Sequence, residues 1–212
     1  NSDNGVLSAK ADSTLTTGEF KNRQGGSLAT DGTLVLTTAH LDNSGGIIGS
    51  QKTLQASVTS LKQDGGELFS NADLTLDLNH GQLNNQGGNL HTPGQLLLRN
   101  LDQVDNRGGE ISGAKAFNLN ARQLDNSGGK VLSNQALTLR IEQALVNVKG
   151  LMAAAALDSR STRLDNREGE LRLALLMPVH GDRVRTPLPE LPKAWAGVEV
   201  QPLPRALATE FG

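Results

Sequence analysis

Four aspartates at one recurring position are the side chains with the clearest capacity for chemistry. Carboxylates that converge on one face can act as general acid and base, as in glycoside hydrolysis. Here each aspartate precedes an asparagine at the same point of a repeated turn, which is typical of a structural residue. We therefore predict no catalytic residues and no enzyme. The four are Asp42, Asp105, Asp125 and Asp165.

Metal and anion sites find equally little support in the sequence. The histidines share no turn position and have no metal-ligand spacing, so we expect surface residues and neither a metal nor a cofactor. Calcium-binding solenoids need an aspartate after their glycines, and none follows here. Four arginines near the last repeats favour a solvated basic edge, with a docking site left open. These residues are His40, His80, His91 and His180, and Arg160, Arg163, Arg167 and Arg172.

The recurring turn combines asparagine with a pair of glycines. Asparagine tolerates a left-handed backbone, and glycine adopts positive φ without a steric penalty. If the turns stack, the asparagine amides would bond one another along the stack. We expect breaks in this ladder at Gln63 and in the turn of residues 21–24. The predicted turn and ladder residues are Asn43, Asn85, Asn106, Asn126, Asn147, Asn166, Gly46, Gly88, Gly109 and Gly129.

The second glycine of the turn recurs nine times, at intervals of 19 to 22 residues. A period of about 20 residues is typical of a solenoid, in which each copy is one coil. An apolar residue stands two positions after the glycine, and a small one usually follows two positions later. Further apolar positions also alternate with period two, which indicates about three short strands per coil. The pattern predicts an all-β parallel β-helix.

Composition narrows the class of partner. The net charge of −2 gives no electrostatic reason for nucleic-acid binding. Aromatic residues make up 2% of the chain, so platforms for stacking bases are scarce. No apolar run of about 18 residues exists, so we expect no membrane insertion. The chain has neither an initiator methionine nor a signal peptide, and we expect it to be a piece of a longer protein.

The end of the chain differs from the repeats. Six of the seven prolines, and the single Trp195, follow residue 172. Because proline cannot donate to a stacked strand, we predict a β-helix over residues 1–176 and a proline-rich tail, linker or loose cap over residues 177–212. Residues 141–157 score as helix on propensity but keep the repeat register. We favour a degenerate coil there, with a helix as the alternative.

The unit L-D-N-S-G-G-x-[IV], as in residues 41–48 and 124–131, resembles the repeat of filamentous haemagglutinins. It is equally similar to the shafts of other two-partner-secretion exoproteins, including contact-dependent growth-inhibition effectors and haemagglutinin-like adhesins. The resemblance covers about residues 2–171. It implies a right-handed parallel β-helix, exported through an outer-membrane transporter and displayed at the bacterial cell surface or secreted.

Two functions follow from this reading. The first is a structural shaft of a large exoprotein that presents distal binding or toxin domains. The second is a direct binding module that contacts a host or bacterial receptor or glycan through the flank or the tail. Uniform loop lengths favour the shaft, whereas residues that protrude from a subset of coils favour the binding module.

Overall fold

The computed structural model describes residues 3–173, and every element in this range is a β-strand. In chain order the strands are β1 (Val6–Ala9), β2 (Ser13–Lys21), β3 (Ser27–Thr30), β4 (Leu34–Asp42), β5 (Ile47–Ser50), β6 (Leu54–Ser57), β7 (Ser60–Lys62), β8 (Glu67–Ser70), β9 (Leu74–Asn84), β10 (Asn89–Thr92), β11 (Leu96–Asp105), β12 (Glu110–Gly113), β13 (Phe117–Ala121), β14 (Gln123–Asp125), β15 (Lys130–Ser133), β16 (Ala136–Val146), β17 (Leu151–Ala154), β18 (Ala156–Asp165) and β19 (Glu170–Leu173).

The strands form two parallel sheets that together make a β-solenoid. Sheet 1 contains nine four-residue strands, and its order follows the chain from β1 to β19. Sheet 2 contains the remaining strands, which are mostly longer. Equivalent repeat positions pair directly, as in the series Leu90, Ile111 and Val131. The predicted parallel β-helix is confirmed, with about eight coils between the nine strands of sheet 1.

The core is a continuous stack of apolar side chains, mainly leucine. Alternating positions on both sheets point inward, as the period-two pattern predicted. Leu7 is exposed to 42% because no described coil covers β1, and Leu15, Leu164 and Leu171 near the ends of the stack are partly buried. The structure also shows a further buried column at the bend of sheet 2, which the sequence reading missed. Its members include Val58, Leu78, Leu101, Ala121 and Ile141.

The prediction of three short strands per coil was partly wrong. In six coils the second and third strands join into one strand of nine to eleven residues. Only β6 with β7, and β13 with β14, stay separate. The joined strands bend instead of breaking, and in β9 and β11 the bend contains residues with positive φ, at Asn79, His80 and Asn100.

The degenerate repeat folds as a coil. Residues 141–157 contribute to β16, β17 and β18, and Met152 and Leu157 are buried in the core. The preference for a coil over a helix is therefore confirmed, because stacking overrides the local helix propensity. The boundary predicted at residue 176, and the tail at residues 177–212, lie outside the described residues and remain predictions.

Candidate functional site

Side-chain amides form a hydrogen-bonded row along the solenoid axis, inside the corner made by the stacked asparagine–glycine turns. We call this corner the asparagine corner. Asn85 Nδ2 donates to Asn106 Oδ1 at 2.7 Å, and Asn106 Nδ2 donates to Asn126 Oδ1 at 2.6 Å. Asn126 and Asn147 each continue the chain to the next asparagine at 2.7 Å, ending at Asn166. Each of these four bonds has its donor in the coil nearer the N-terminus. The structure thus brings the predicted asparagines together in one polarised row.

Each amide also satisfies backbone groups of two coils. Asn106 Nδ2 lies 3.3 Å from the Gly109 carbonyl oxygen in its own turn and 3.0 Å from the Lys130 carbonyl oxygen in the next coil. The ladder side chains from Asn43 through Asn147 are fully buried, and the last ladder side chain, Asn166, is partly buried. Their amides therefore replace water as partners for buried carbonyl groups.

The two expected breaks in the ladder were wrong. Asn22, one residue earlier in the repeat than its counterparts, is fully buried and donates to Asn43 Oδ1 at 2.8 Å. Gln63 also takes the ladder position, and its Nε2 donates to Asn85 Oδ1 at 3.0 Å. The fit is looser on its other side, where Asn43 Nδ2 is 3.5 Å from Gln63 Oε1. An amide suffices at this corner because the longer Gln63 side chain still reaches both neighbouring amides, and the displaced Asn22 side chain reaches Asn43.

The two turn glycines have different roles. Gly128, the first, has φ of +64°, and a Cβ there would meet nothing within 4 Å. Lys149 and Glu168 occupy this place with φ of 56° and 54°. At the second glycine, Gly129, a Cβ would lie 2.0 Å from the Asn106 carbonyl oxygen of the preceding coil. A Cβ at Gly46, Gly88 or Gly109 would clash in a comparable way with a backbone carbonyl oxygen of the preceding coil.

The aspartates cap the same turn. Asp125 Oδ1 accepts hydrogen bonds from the Ser127 amide at 2.9 Å and from its hydroxyl at 2.6 Å. In Asp165 a hydrogen bond from the Arg167 side chain is the main cause that lowers the pKa of the carboxyl. The lowered pKa keeps the Asp165 carboxyl ionised as a hydrogen-bond acceptor. The equivalent backbone contacts occur at Asp42, Asp105, Asp125 and Asp165.

Hydroxyl groups stabilise the opposite corner, which is formed by the turns that follow the strands of sheet 1. The sequence pattern showed only a small residue at this position. Ser50 Oγ donates to the Gly32 carbonyl oxygen at 2.6 Å and accepts from the Lys52 amide at 3.2 Å. It therefore joins its own turn to the preceding coil. Corresponding hydroxyls are those of Thr30, Ser50, Ser70, Thr92 and Ser133.

An open groove of about 560 Å³ follows the bend of sheet 2 across five coils, on the solvent side. Five of its polar lining side chains recur every 20 residues, at His80, Asn100, Asn120, Arg140 and Arg160. Asn120 pairs in register with Arg140, and Arg140 with Arg160. The sequence reading missed this row, although the spacing was a usable signal. Glu142, Ser161 and Thr162 complete the polar lining.

The predicted basic edge is not formed as one surface. Arg160 lines the groove, whereas Arg167 binds Asp165 at the asparagine corner and Arg172 binds Glu170 on sheet 1. The repeat carries the chain from one face to another within a few residues. Arginines that are neighbours in sequence therefore lie on different sides of the solenoid.

Two guanidinium groups of the groove share one carboxylate. Arg140 Nη2 is hydrogen-bonded to Asp158 Oδ2, and Arg160 Nε lies 3.9 Å from Asp158 Oδ1. The hydrogen bond from Arg140 lowers the pKa of Asp158, and the positive charge of Arg160 contributes to the same direction. Arg160 remains the more accessible of the two, with 60% of its side chain exposed against 37% for Arg140.

The histidines do not come together. His40 lies on β4, His80 lines the groove, and His91 pairs with Glu67 at 3.0 Å on the outer face of sheet 1. Within residues 3–173 no group of three or more His, Cys, Asp or Glu side chains is placed to hold a metal ion. His180 lies outside the described residues.

The stacked coils, the amide corner and the parallel sheets define a β-solenoid built from one repeated turn-and-strand unit. The haemagglutinin-repeat family matches residues 1–27, 21–108 and 65–174, and the chain belongs to that family. Proteins with this repeat are typically secreted surface adhesins. No curated protein and no solved structure matches the chain. In the described part of the chain, no helix is long and apolar enough to cross a membrane.

Proposed function

We propose that this chain is a structural, non-enzymatic shaft segment of a large exoprotein displayed on the bacterial surface. The observation that carries the proposal is the amide row, which runs from Asn22 to Asn166 without a missing member. A row of this kind requires every coil to keep the same height and the same corner. Uniform coils suit a spacer, and eight coils of ~4.8 Å give a length of about 40 Å.

Membership of the haemagglutinin-repeat family indicates the kind of parent protein to which this shaft would belong. We place it in a two-partner-secretion exoprotein that leaves the cell through an outer-membrane transporter and holds distal domains away from the surface. Those domains would be adhesive in a haemagglutinin-like adhesin and toxic in a contact-dependent growth-inhibition effector. The shaft itself needs neither nucleic acid nor insertion into a membrane.

Deletion of one whole coil tests the shaft function. Removal of residues 47–66 joins Gly46 to Glu67, whose amide can then bond the Gly26 carbonyl oxygen as Ile47 does now at 2.9 Å. We expect a cooperatively folded protein that is shorter by about 4.8 Å. Small-angle X-ray scattering measures the length, and circular dichroism follows thermal unfolding.

Deletion of half a coil, residues 47–56, is the matched control. It removes β5 and most of β6, so the next strand of sheet 1 no longer meets its partner. We expect this variant to lose strand signal and cooperativity. If the whole-coil deletion is damaged as severely as the half-coil deletion, the coils are not interchangeable and the shaft proposal is wrong.

The groove along sheet 2 is the observation that favours the second function, a direct binding module. Its polar row occupies only five coils, from His80 to Arg160, so that part of the solenoid differs from a plain spacer. A receptor or glycan could be contacted there through the flank.

A further inference from the structure

The groove presents hydrogen-bonding groups at a constant interval along the solenoid axis. Asn120, Arg140 and Arg160 pair in register, so their backbones are separated by one coil, ~4.8 Å. Asn100 extends the row by one coil. An extended polysaccharide advances by a similar length for each sugar ring, whereas a compact ligand would contact only one or two coils. The row therefore suits a linear chain that lies along the axis.

The two halves of the row differ in chemistry. Asn100 and Asn120 present neutral amides, and an amide can donate and accept hydrogen bonds, as sugar hydroxyls require. Asn100 Nδ2 also donates to Asp77 Oδ1 at 2.9 Å. Arg140 and Arg160 present guanidinium groups, whose planar donors match a carboxylate. The groove thus changes from neutral amides to guanidinium groups within four coils, and Glu142 adds a carboxylate to the lining of the guanidinium half.

The charges around the groove give its arginines a fixed arrangement. Asp158 stands two residues before Arg160 on β18 and contacts both Arg140 and Arg160. On the other side of the bend, Arg122 binds Asp102 through two bonds of 2.6 and 3.0 Å. Arg122 and Asp102 lie outside the groove lining, whereas Asp158 restrains the two guanidinium groups that line it, of which Arg160 is the more exposed.

We propose that this groove binds an extended acidic oligosaccharide, with a sugar carboxylate against Arg160 and hydroxyl groups of the following units against Asn120 and Asn100. Nucleic acid fits less well because the lining contains no Phe, Tyr or Trp side chain on which bases could stack. The inference goes beyond the shaft function, and its failure would leave the coil-deletion result unaffected.

The test uses a matched pair of probes, a linear hexamer of galacturonic acid and its methyl ester. Both have the same backbone and hydroxyls, but only the acid carries carboxylates. We expect the acid to bind the intact chain more tightly in isothermal titration calorimetry. Arg160→Gln should weaken binding of the acid about tenfold, the effect of losing a charge-assisted hydrogen bond, and leave the ester unchanged.

Two further variants separate the groove from general charge effects. Asn120→Ala removes an exposed amide on β13 and should weaken both probes. Lys115→Gln removes a half-exposed cation outside the groove and should weaken neither. The proposal is overturned if the acid fails to bind at millimolar concentration, if acid and ester bind equally, or if Arg160→Gln and Lys115→Gln have equal effects.

Discussion

Asn126→Ala removes one amide from the middle of the ladder and leaves the backbone of the turn intact. Asn126 Oδ1 accepts from Asn106 Nδ2 at 2.6 Å, and Asn126 Nδ2 donates to Asn147 Oδ1 at 2.7 Å. The same Nδ2 faces the carbonyl oxygens of Gly129 and Leu151 at 3.2 and 3.4 Å. The substitution therefore disturbs both neighbouring amides and two backbone groups.

The expected loss follows from the number of bonds. An amide nitrogen has two N–H donors, so Asn126 Nδ2 makes two full bonds among its three acceptors, and Oδ1 adds a third. At about 1 kcal/mol net for each bond, the variant should lose about 3 kcal/mol of unfolding free energy. Water cannot replace the amide easily because Asn126 is fully buried.

Urea unfolding followed by circular dichroism measures this loss. Asn118→Ala is the matched control, because Asn118 is exposed on β13 and should lose less than about 0.5 kcal/mol. Asn100 is a poorer control, since its φ of 51° already favours asparagine. Asn126→Gln should fall between the two, as Gln63 holds a ladder position with one longer bond of 3.5 Å. Equal losses in Asn118→Ala and Asn126→Ala would refute the energetic role of the ladder.

Three further predictions concern single corners and one ion pair. Gln63→Asn should raise stability by up to about 1 kcal/mol in the same urea assay, because a shorter amide can close the 3.5 Å gap. Gly128→Ala should cost about 1–2 kcal/mol for its positive φ, whereas Gly129→Ala should cost more, because its Cβ would lie 2.0 Å from a carbonyl oxygen. The hydrogen bond from Arg122 lowers the pKa of Asp102, so this pair should stabilise the fold above pH ~4 and lose its effect as the pH falls further. Arg122→Gln should raise the pKa of Asp102 in a carboxyl NMR titration.

Each of these predictions has a result that would contradict it. A destabilised Gln63→Asn variant would mean that the longer side chain is required where it stands. Equal losses for Gly128→Ala and Gly129→Ala would mean that the coils can move apart at little cost. A pKa of Asp102 that stays constant in Arg122→Gln would remove Arg122 as the cause of the shift. A titration of Lys115→Gln, which lies at another corner, controls for the change in net charge.

The fold was predictable because the same few positions face the same environment in every coil. Leu90, Ile111 and Val131 are paired in register and fully buried, so each copy repeats the information of the last. Nine copies make a period visible even where one is worn, as around Met152. Because stacking gives equivalent positions the same environment in every coil, the same types of residue recur at those positions in the sequence.

The remainder could not be read in this way because it depends on side-chain reach and on the path of the bend. Gln63 and Asn22 appeared to interrupt the ladder, yet an amide one bond longer or one residue earlier still reaches its neighbours. The groove row pairs in register from Asn120 to Arg160. Arg160, however, lies one residue nearer to its turn glycine, Gly150, than Arg140 lies to Gly129, so the row does not keep one repeat position when the turn glycine is the reference.

The two glycines of the turn show which positions tolerate change. The first position needs only a positive φ, and Lys149 and Glu168 occupy it in two coils at the modest cost in free energy of a left-handed backbone. The second lies against the carbonyl oxygen of the coil below, and it is glycine in every described coil, including the worn ones at Gly150 and Gly169. Positions that touch the next coil are thus constrained by stacking, whereas outward positions are not. Recognition chemistry can therefore vary along the outer surface, as it does between Asn120 and Arg160, without disturbing the shaft that carries it.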